Sequence, residues 1–335
     1  MANLALTGLI LGIIFGFVLQ RGRFCMNSAF RDIIIGKDYT LFKSLGAALL
    51  VSLVGFATLA GANIITLNPK PLVWGANIIG GFIFGIGMVI AGGCASGITY
   101  RIGEGMGGAF TALIGFSLTA YLTKSGFLKP IKDALQSSTK ITAADGANLS
   151  LANILGLNPI ILAFVIAIIA VVIWAYFLRK EGSDGSTRDW SWMSTGVAIG
   201  LIGIIAFPLS AATGRMYPLG ITSGWINIVS VLLPGDGTLS WEGWLVIGVI
   251  IGAFVAAYSA NELKLRMPSG KTMLATFGGG LLMGFGAVVS SGCNVGHILS
   301  GVPQLSLGSI LGGIFIVLGG WAAAWYLFIR PMQAK

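Results

Sequence analysis

Two of the three cysteines in this chain close the same glycine-rich phrase, 199 residues apart. Gly85-x-Gly87 runs on to Gly93-Cys94 and Gly97, and Gly284-x-Gly286 runs on to Gly292-Cys293 and Gly296. The third, Cys25, follows the first apolar run in Arg21-Gly22-Arg23-Phe24-Cys25-Met26-Asn27-Ser28. A neutral thiol is a weak S–H donor and a soft, adaptable surface. It can hold a sulfur anion without binding it too tightly to release. An odd count with no close pair gives no support for a disulfide scaffold. Thiols at repeated positions suggest a path for sulfur chemistry inside a membrane.

The elements that carry them must live in lipid. Hydrophobic residues make up 56% of 335 positions and charged residues 9%, with a mean hydropathy of +0.91. A soluble domain with so few charges could not cover its surface, so the composition calls for a polytopic membrane protein and no nucleic-acid partner. Uncharged runs cover Met1–Gln20, Ser44–Leu67, Pro71–Tyr100, Gly105–Thr123, Pro159–Leu178, Trp190–Gly214, Met216–Gly235, Gly243–Asn261 and Thr272–Ile329. Met1–Gln20 reads as a retained span, since no basic segment precedes it and no cleavage signature follows. A span takes roughly 20 residues, so Thr272–Ile329 holds two helices and a surplus around Cys293. Pro71–Tyr100 holds one helix and a surplus around Cys94. Irregular backbone at membrane depth is tolerated where protein buries it or a cavity borders it.

A weaker repeat orders the rest. Gly200-Leu201, Ile205, Phe207 and Gly214-Arg215 recur, at an offset of 192, Gly8-Leu9, Ile13, Phe15 and Gly22-Arg23. The match sets Met216 onward against Phe24–Gly36, and both read as short re-entrant segments, with Tyr217 standing where the first half has Cys25. About nine transmembrane helices remain, giving an all-α fold in one transmembrane domain over 1–335. Lys and Arg divide 14 to 6 between the two faces, and the positive-inside rule puts the richer face in the cytoplasm. The N-terminus is then outside and the C-terminus inside. The two halves, 1–123 and 190–335, run in opposite senses around a loop and connector helix over 124–189. Inverted repeats with broken helices are transporter architecture, with the substrate at the repeat interface. Cys94 and Cys293 should converge from opposite sides of one constriction.

The phrases Gly-Arg-Phe-Cys after the first helix, Gly-Gly-Cys-Ala-Ser-Gly in the middle and Ser-Gly-Cys-Asn-Val-Gly-His near the end resemble the YeeE/YedE family. That resemblance covers nearly the whole chain. It implies a bacterial inner-membrane uptake protein, hourglass-shaped, in which three cysteines lead thiosulfate through a narrow neck. The family's cysteines map onto Cys25, Cys94 and Cys293. It also implies a cytoplasmic sulfur-carrier partner of the TusA type, while no fused carrier domain is expected because the chain stops six residues after its last run.

The expected substrate contacts are Cys25, Cys94, Cys293, Gly93, Gly292, Asn294 and Arg23, with no metal, no cofactor and no enzymatic step. Glycines let backbones approach, and free N–H groups at a new helix start favour an anion. No Asp, Glu, Lys or Arg lies between Thr272 and Ile329, so this half of the path is expected to rely on neutral donors. Most of the 51 glycines read as helix packing, His297 as a packing or polar-loop residue, and Lys124–Asn158 as an amphipathic cap without chemistry. Two alternatives stay open, and a membrane enzyme that takes sulfur onto a cysteine as a persulfide ranks below them because no catalytic base accompanies the thiols. A soft-metal transporter for copper or zinc would use three thiols, but it lacks the acidic groups cation paths carry. Another sulfur or selenium compound would suit the same path.

Overall fold

A computed structural model describes residues 2–143, 146–178, 190–235 and 237–333. Arg179, Lys180, Arg188 and Lys335, counted above for orientation, lie outside them. The first half comprises α1 (Ala2–Arg21), α2 (Met26–Gly36), α3 (Thr40–Gly61), α4 (Trp74–Ile90), α5 (Ala95–Gly103) and α6 (Gly107–Ser125). Then follow α7 (Lys129–Ser138), α8 (Leu151–Leu155) and α9 (Pro159–Leu178). The second half comprises α10 (Trp192–Ala211), α11 (Ile221–Leu232), α12 (Trp241–Ser259), α13 (Gly270–Val289), a π-turn at Val295–Leu299, α14 (Leu307–Ala324) and α15 (Arg330–Gln333).

Every apolar run read from the sequence carries a helix, and the chain is a multi-pass, all-α membrane protein. Seven apolar stretches among the described residues are long enough to cross a bilayer. α6 and α9, both counted among the expected nine passes, are not among those seven. Among the described residues the one sheet is a two-residue ribbon, β1 (Leu72–Val73) antiparallel to β2 (Lys140–Ile141), which ties the segment after α7 to the start of α4.

Glycines let the long helices approach closely. Gly87 of α4 lies against Gly279 and Met283 of α13, while Gly286 of α13 lies against Gly80 and Phe84 of α4. Gly85 instead faces Ile316 and Gly320 on α14, and Gly284 faces Phe116 and Ala120 on α6. The two glycines of each Gly-x-Gly phrase therefore serve two different interfaces. Elsewhere α1 packs on α12 and α10 packs on α3. α2 lies against α3 and α14, and α11 against α12 and α6. Lipid offers no apolar driving force between helices, so close contact at small residues supplies the attraction.

Candidate functional site

All three thiols occupy one local design. Two positions before each cysteine the backbone turns left-handed, at Arg23 (φ 46°), Gly92 (φ 75°) and Ser291 (φ 68°). The turn ends the preceding helix, with the Phe24 amide donating to Leu19 at 2.9 Å and the Gly93 amide to Met88 at 3.0 Å. This six-to-one bond satisfies a carbonyl at the helix end. Each cysteine then starts a new turn. Its carbonyl accepts from Ala29 (2.9 Å), Ile98 (2.8 Å) or His297 (2.7 Å) respectively. A helix start leaves free N–H groups, which favour an anion. The fourth short helix, α11, is capped by Gly220. Tyr217 lies three residues earlier, so glycine rather than Tyr217 holds the capping place that Cys25 has in the first half.

Cys25 and Cys94 meet. Their Sγ atoms lie 3.7 Å apart, and Ser96 Oγ is 3.4 Å from Cys94 Sγ. A Cβ on Gly97 would press on both thiols. Cys293 borders a cavity of about 710 Å³. All three cysteines are buried, and none forms a disulfide.

The cavity at Cys293 is basic. Lys70, Lys124, Lys132 and Arg215 line it, together with Tyr217 and Glu242. Arg215 is committed to scaffolding. Its Nε pairs with Glu242 at 2.5 Å, and its guanidinium donates to Tyr217 O (2.6 Å) and Pro218 O (2.7 Å). Lys70 is placed differently. Its ammonium donates to Ser291 O, lies 5.2 Å from the centre of the Tyr217 ring, and approaches Gly292 and Gly296 so closely that a Cβ on Gly292 would collide with it. Burial pushes the Lys70 amine down to about 8, with Cys293 opposing the shift and Arg215 adding to it. The expectation of neutral donors only around Cys293 is thus corrected: a cation from the α3–α4 connection reaches this turn from 221 residues away.

The remaining expected residues fall as follows. Gly93 lies beside Arg101 and Ile98. Asn294 is fully buried, with its Nδ2 3.7 Å from Met88 Sδ and its Oδ1 without a hydrogen-bond partner. Arg23 pairs with Glu262 at 2.6 Å on an exposed surface. His297 packs as a satisfied buried side chain, Nε2 donating to Ser290 O at 2.8 Å and Nδ1 accepting from Ser309 at 3.3 Å. Among the described residues no three His, Cys, Asp or Glu side chains come together as a metal site.

Sequence reasoning missed several residues. Gln136 of α7 donates to Val288 O (3.1 Å), Val289 O (2.8 Å) and Ser291 Oγ (3.0 Å), so the segment read as a cap without chemistry holds the turn before Cys293. Asn27, two residues past Cys25, is fully buried with neither amide atom hydrogen-bonded. Lys70 had a signal. It stands one residue before the Pro71–Tyr100 run, and the packing of α4 on α13 brings that run's start to the end of α13.

The sequence pattern of the family described as sulphur transport matches residues 21–322. The chain belongs to this family. Within the sulphur-transport family it is similar to a protein of Spirochaeta thermophila named thiosulfate transporter TsuA, at 46% identity over 97% of this chain and 99% of that one. A protein of the same name in Escherichia coli K12 is 35% identical over 99% of this chain and 97% of its own length. A third, the probable transporter YedE of E. coli K12, is 34% identical over 30% of this chain and 25% of its own.

Proposed function

We propose that this chain takes up thiosulfate across the bacterial cytoplasmic membrane by passing the intact anion from thiol to thiol. One observation carries the reading: a basic cavity ends on a soft thiol, with Lys70 at the turn beside Cys293. Thiosulfate is a dianion with one polarisable terminal sulfur. Lys70 meets the charge and Cys293 the sulfur, and the Cys25–Cys94 pair is the next soft station. Asn27 and Asn294 offer buried polar atoms that have no protein partner. The two full-length relatives named thiosulfate transporters support the same substrate.

In this reading the halves are inverted copies, and the packing supports it. α1 on α12 corresponds to α10 on α3, and α4 on α14 to α13 on α6. Two cavities also lie at opposite ends of the bundle, because Met106 before α6 borders one and Tyr121 near its end borders the other. The cavity at Cys293 contains Lys70, Lys124, Lys132 and Arg215, four of the six cations that the positive-inside rule assigns outside. The N-terminus is then outside and the C-terminus cytoplasmic, where a TusA-type sulfur carrier would receive the product. Growth on thiosulfate as sole sulfur source, with and without the gene, tests the reading. Equal growth in both strains refutes it.

A further inference from the structure

The turn before Cys94 has its own cation. Arg101, on α5, donates from its guanidinium to Gly92 O, while Lys70 donates to Ser291 O. Gly92 and Ser291 are 199 residues apart, the offset that relates Cys94 to Cys293. The two cations come from unrelated parts of the chain, one from a connection and one from the short helix itself, yet each grips the left-handed residue that presents a thiol. They open to different cavities. Lys70 borders the larger one, whereas Arg101 borders a cavity of about 400 Å³ at the other end of the bundle, with Arg23, Lys264, Arg266, Glu104 and Glu262. Four cations against two carboxylates leave this second cavity positive. Arg23 is half-neutralised by its pair with Glu262, while Arg101 joins the cavity to the Cys94 turn.

We propose that this second cavity is a distinct anion-binding site, built on Arg101, which receives a divalent sulfur oxyanion from the Cys25–Cys94 pair before release. The inference rests on the transport reading above and adds a station to it. A guanidinium presents several donors in a planar fork, suited to an oxyanion that must be held by geometry and then let go. Two cationic sites separated by thiols give the anion a charge partner on each side of the neck. Glu104 and Glu262 in the same cavity oppose tight retention.

The test uses the full-length protein in sealed vesicles, with labelled thiosulfate taken up from the Lys70 side against unlabelled thiosulfate on the Arg101 side. The concentration on the Arg101 side that halves uptake reports occupancy there. Arg101→Gln should raise it about tenfold or more, and Arg101→Lys, which keeps the charge but loses the planar fork, should fall between that value and wild type. Glu104→Gln should lower it, a change of sign that structural damage would not produce. Lys70→Gln should shift the half-saturating concentration on its own side instead. An Arg101→Gln value within about twofold of wild type would overturn the second site, as would an equal shift on both sides, which means Arg101 merely holds the turn. Should Arg101→Gln not reach the membrane, the Glu104→Gln result decides, and no decrease there overturns the proposal. Failure of the wild-type protein to transport thiosulfate at all would refute the proposed function, and this inference with it.

Discussion

Replacing Lys70 with glutamine removes the charge that reaches the Cys293 turn while keeping most of the side chain's length. The Lys70 ammonium is bonded to Ser291 O, so an anion held by the neighbouring thiol would sit on the order of 5 Å away. A dianion at that distance gains roughly 2 kcal/mol at the dielectric of water and about 7 at an effective value of 20. The cavity opens to solvent, so the lower end applies. About 2 kcal/mol is roughly a 30-fold rise in half-saturating thiosulfate, measured as initial uptake into vesicles. A pH series sharpens the test. Burial lowers the Lys70 amine to about 8, so the side chain is charged below that value and neutral above it. Wild-type affinity for the dianion should fall as pH rises through about 8, the glutamine variant should be flat, and Lys70→Arg should stay high across the range. Wild-type half-saturation in Lys70→Gln, or a break near pH 8 that survives the substitution, would refute the argument.

The thiols carry their own tests. Cys25→Ala, Cys94→Ala and Cys293→Ala should each abolish uptake while the protein stays in the membrane, and the serine variants should fail or nearly fail because they lose the soft contact. Sulfate has the same charge but no terminal soft sulfur, so it should compete poorly, and equal competition would leave the thiols as packing residues. A mild thiol oxidant should join Cys25 to Cys94, taking one hydrogen from each and closing the 3.7 Å gap to the roughly 2 Å of a disulfide. Wild-type uptake should stop with a loss of two mass units, reductant should restore both, and Cys25→Ser should show no such mass loss. Gly292→Ala should push Lys70 and the His297 ring off the turn and cut uptake at least tenfold, whereas Gly278→Ala, with nothing within 4 Å of the added methyl, should leave it within twofold.

The thiol turns were legible in the sequence because they follow from length and local geometry. A run longer than its whole number of spans leaves a surplus that must break, and Gly92-Gly93 and Ser291-Gly292 supply a left-handed residue and room beside it. The four cations round Cys293 were legible only as members of a face. Counting Lys and Arg reports which side a loop lies on and nothing about where on that side its side chains end. Packing α4 against α13 is what carries Lys70 to Ser291, and α7 folds back on the end of α13 to put Gln136 there. The same limit hid the meeting of Cys25 with Cys94, since sequence spacing placed Cys94 opposite Cys293. The paired turns at Cys94 and Cys293 can be read from a phrase and an offset, because both copies obey the same local rules. That Lys70 meets the Cys293 turn is a matter of contacts across more than two hundred residues, and only the packed bundle decides it.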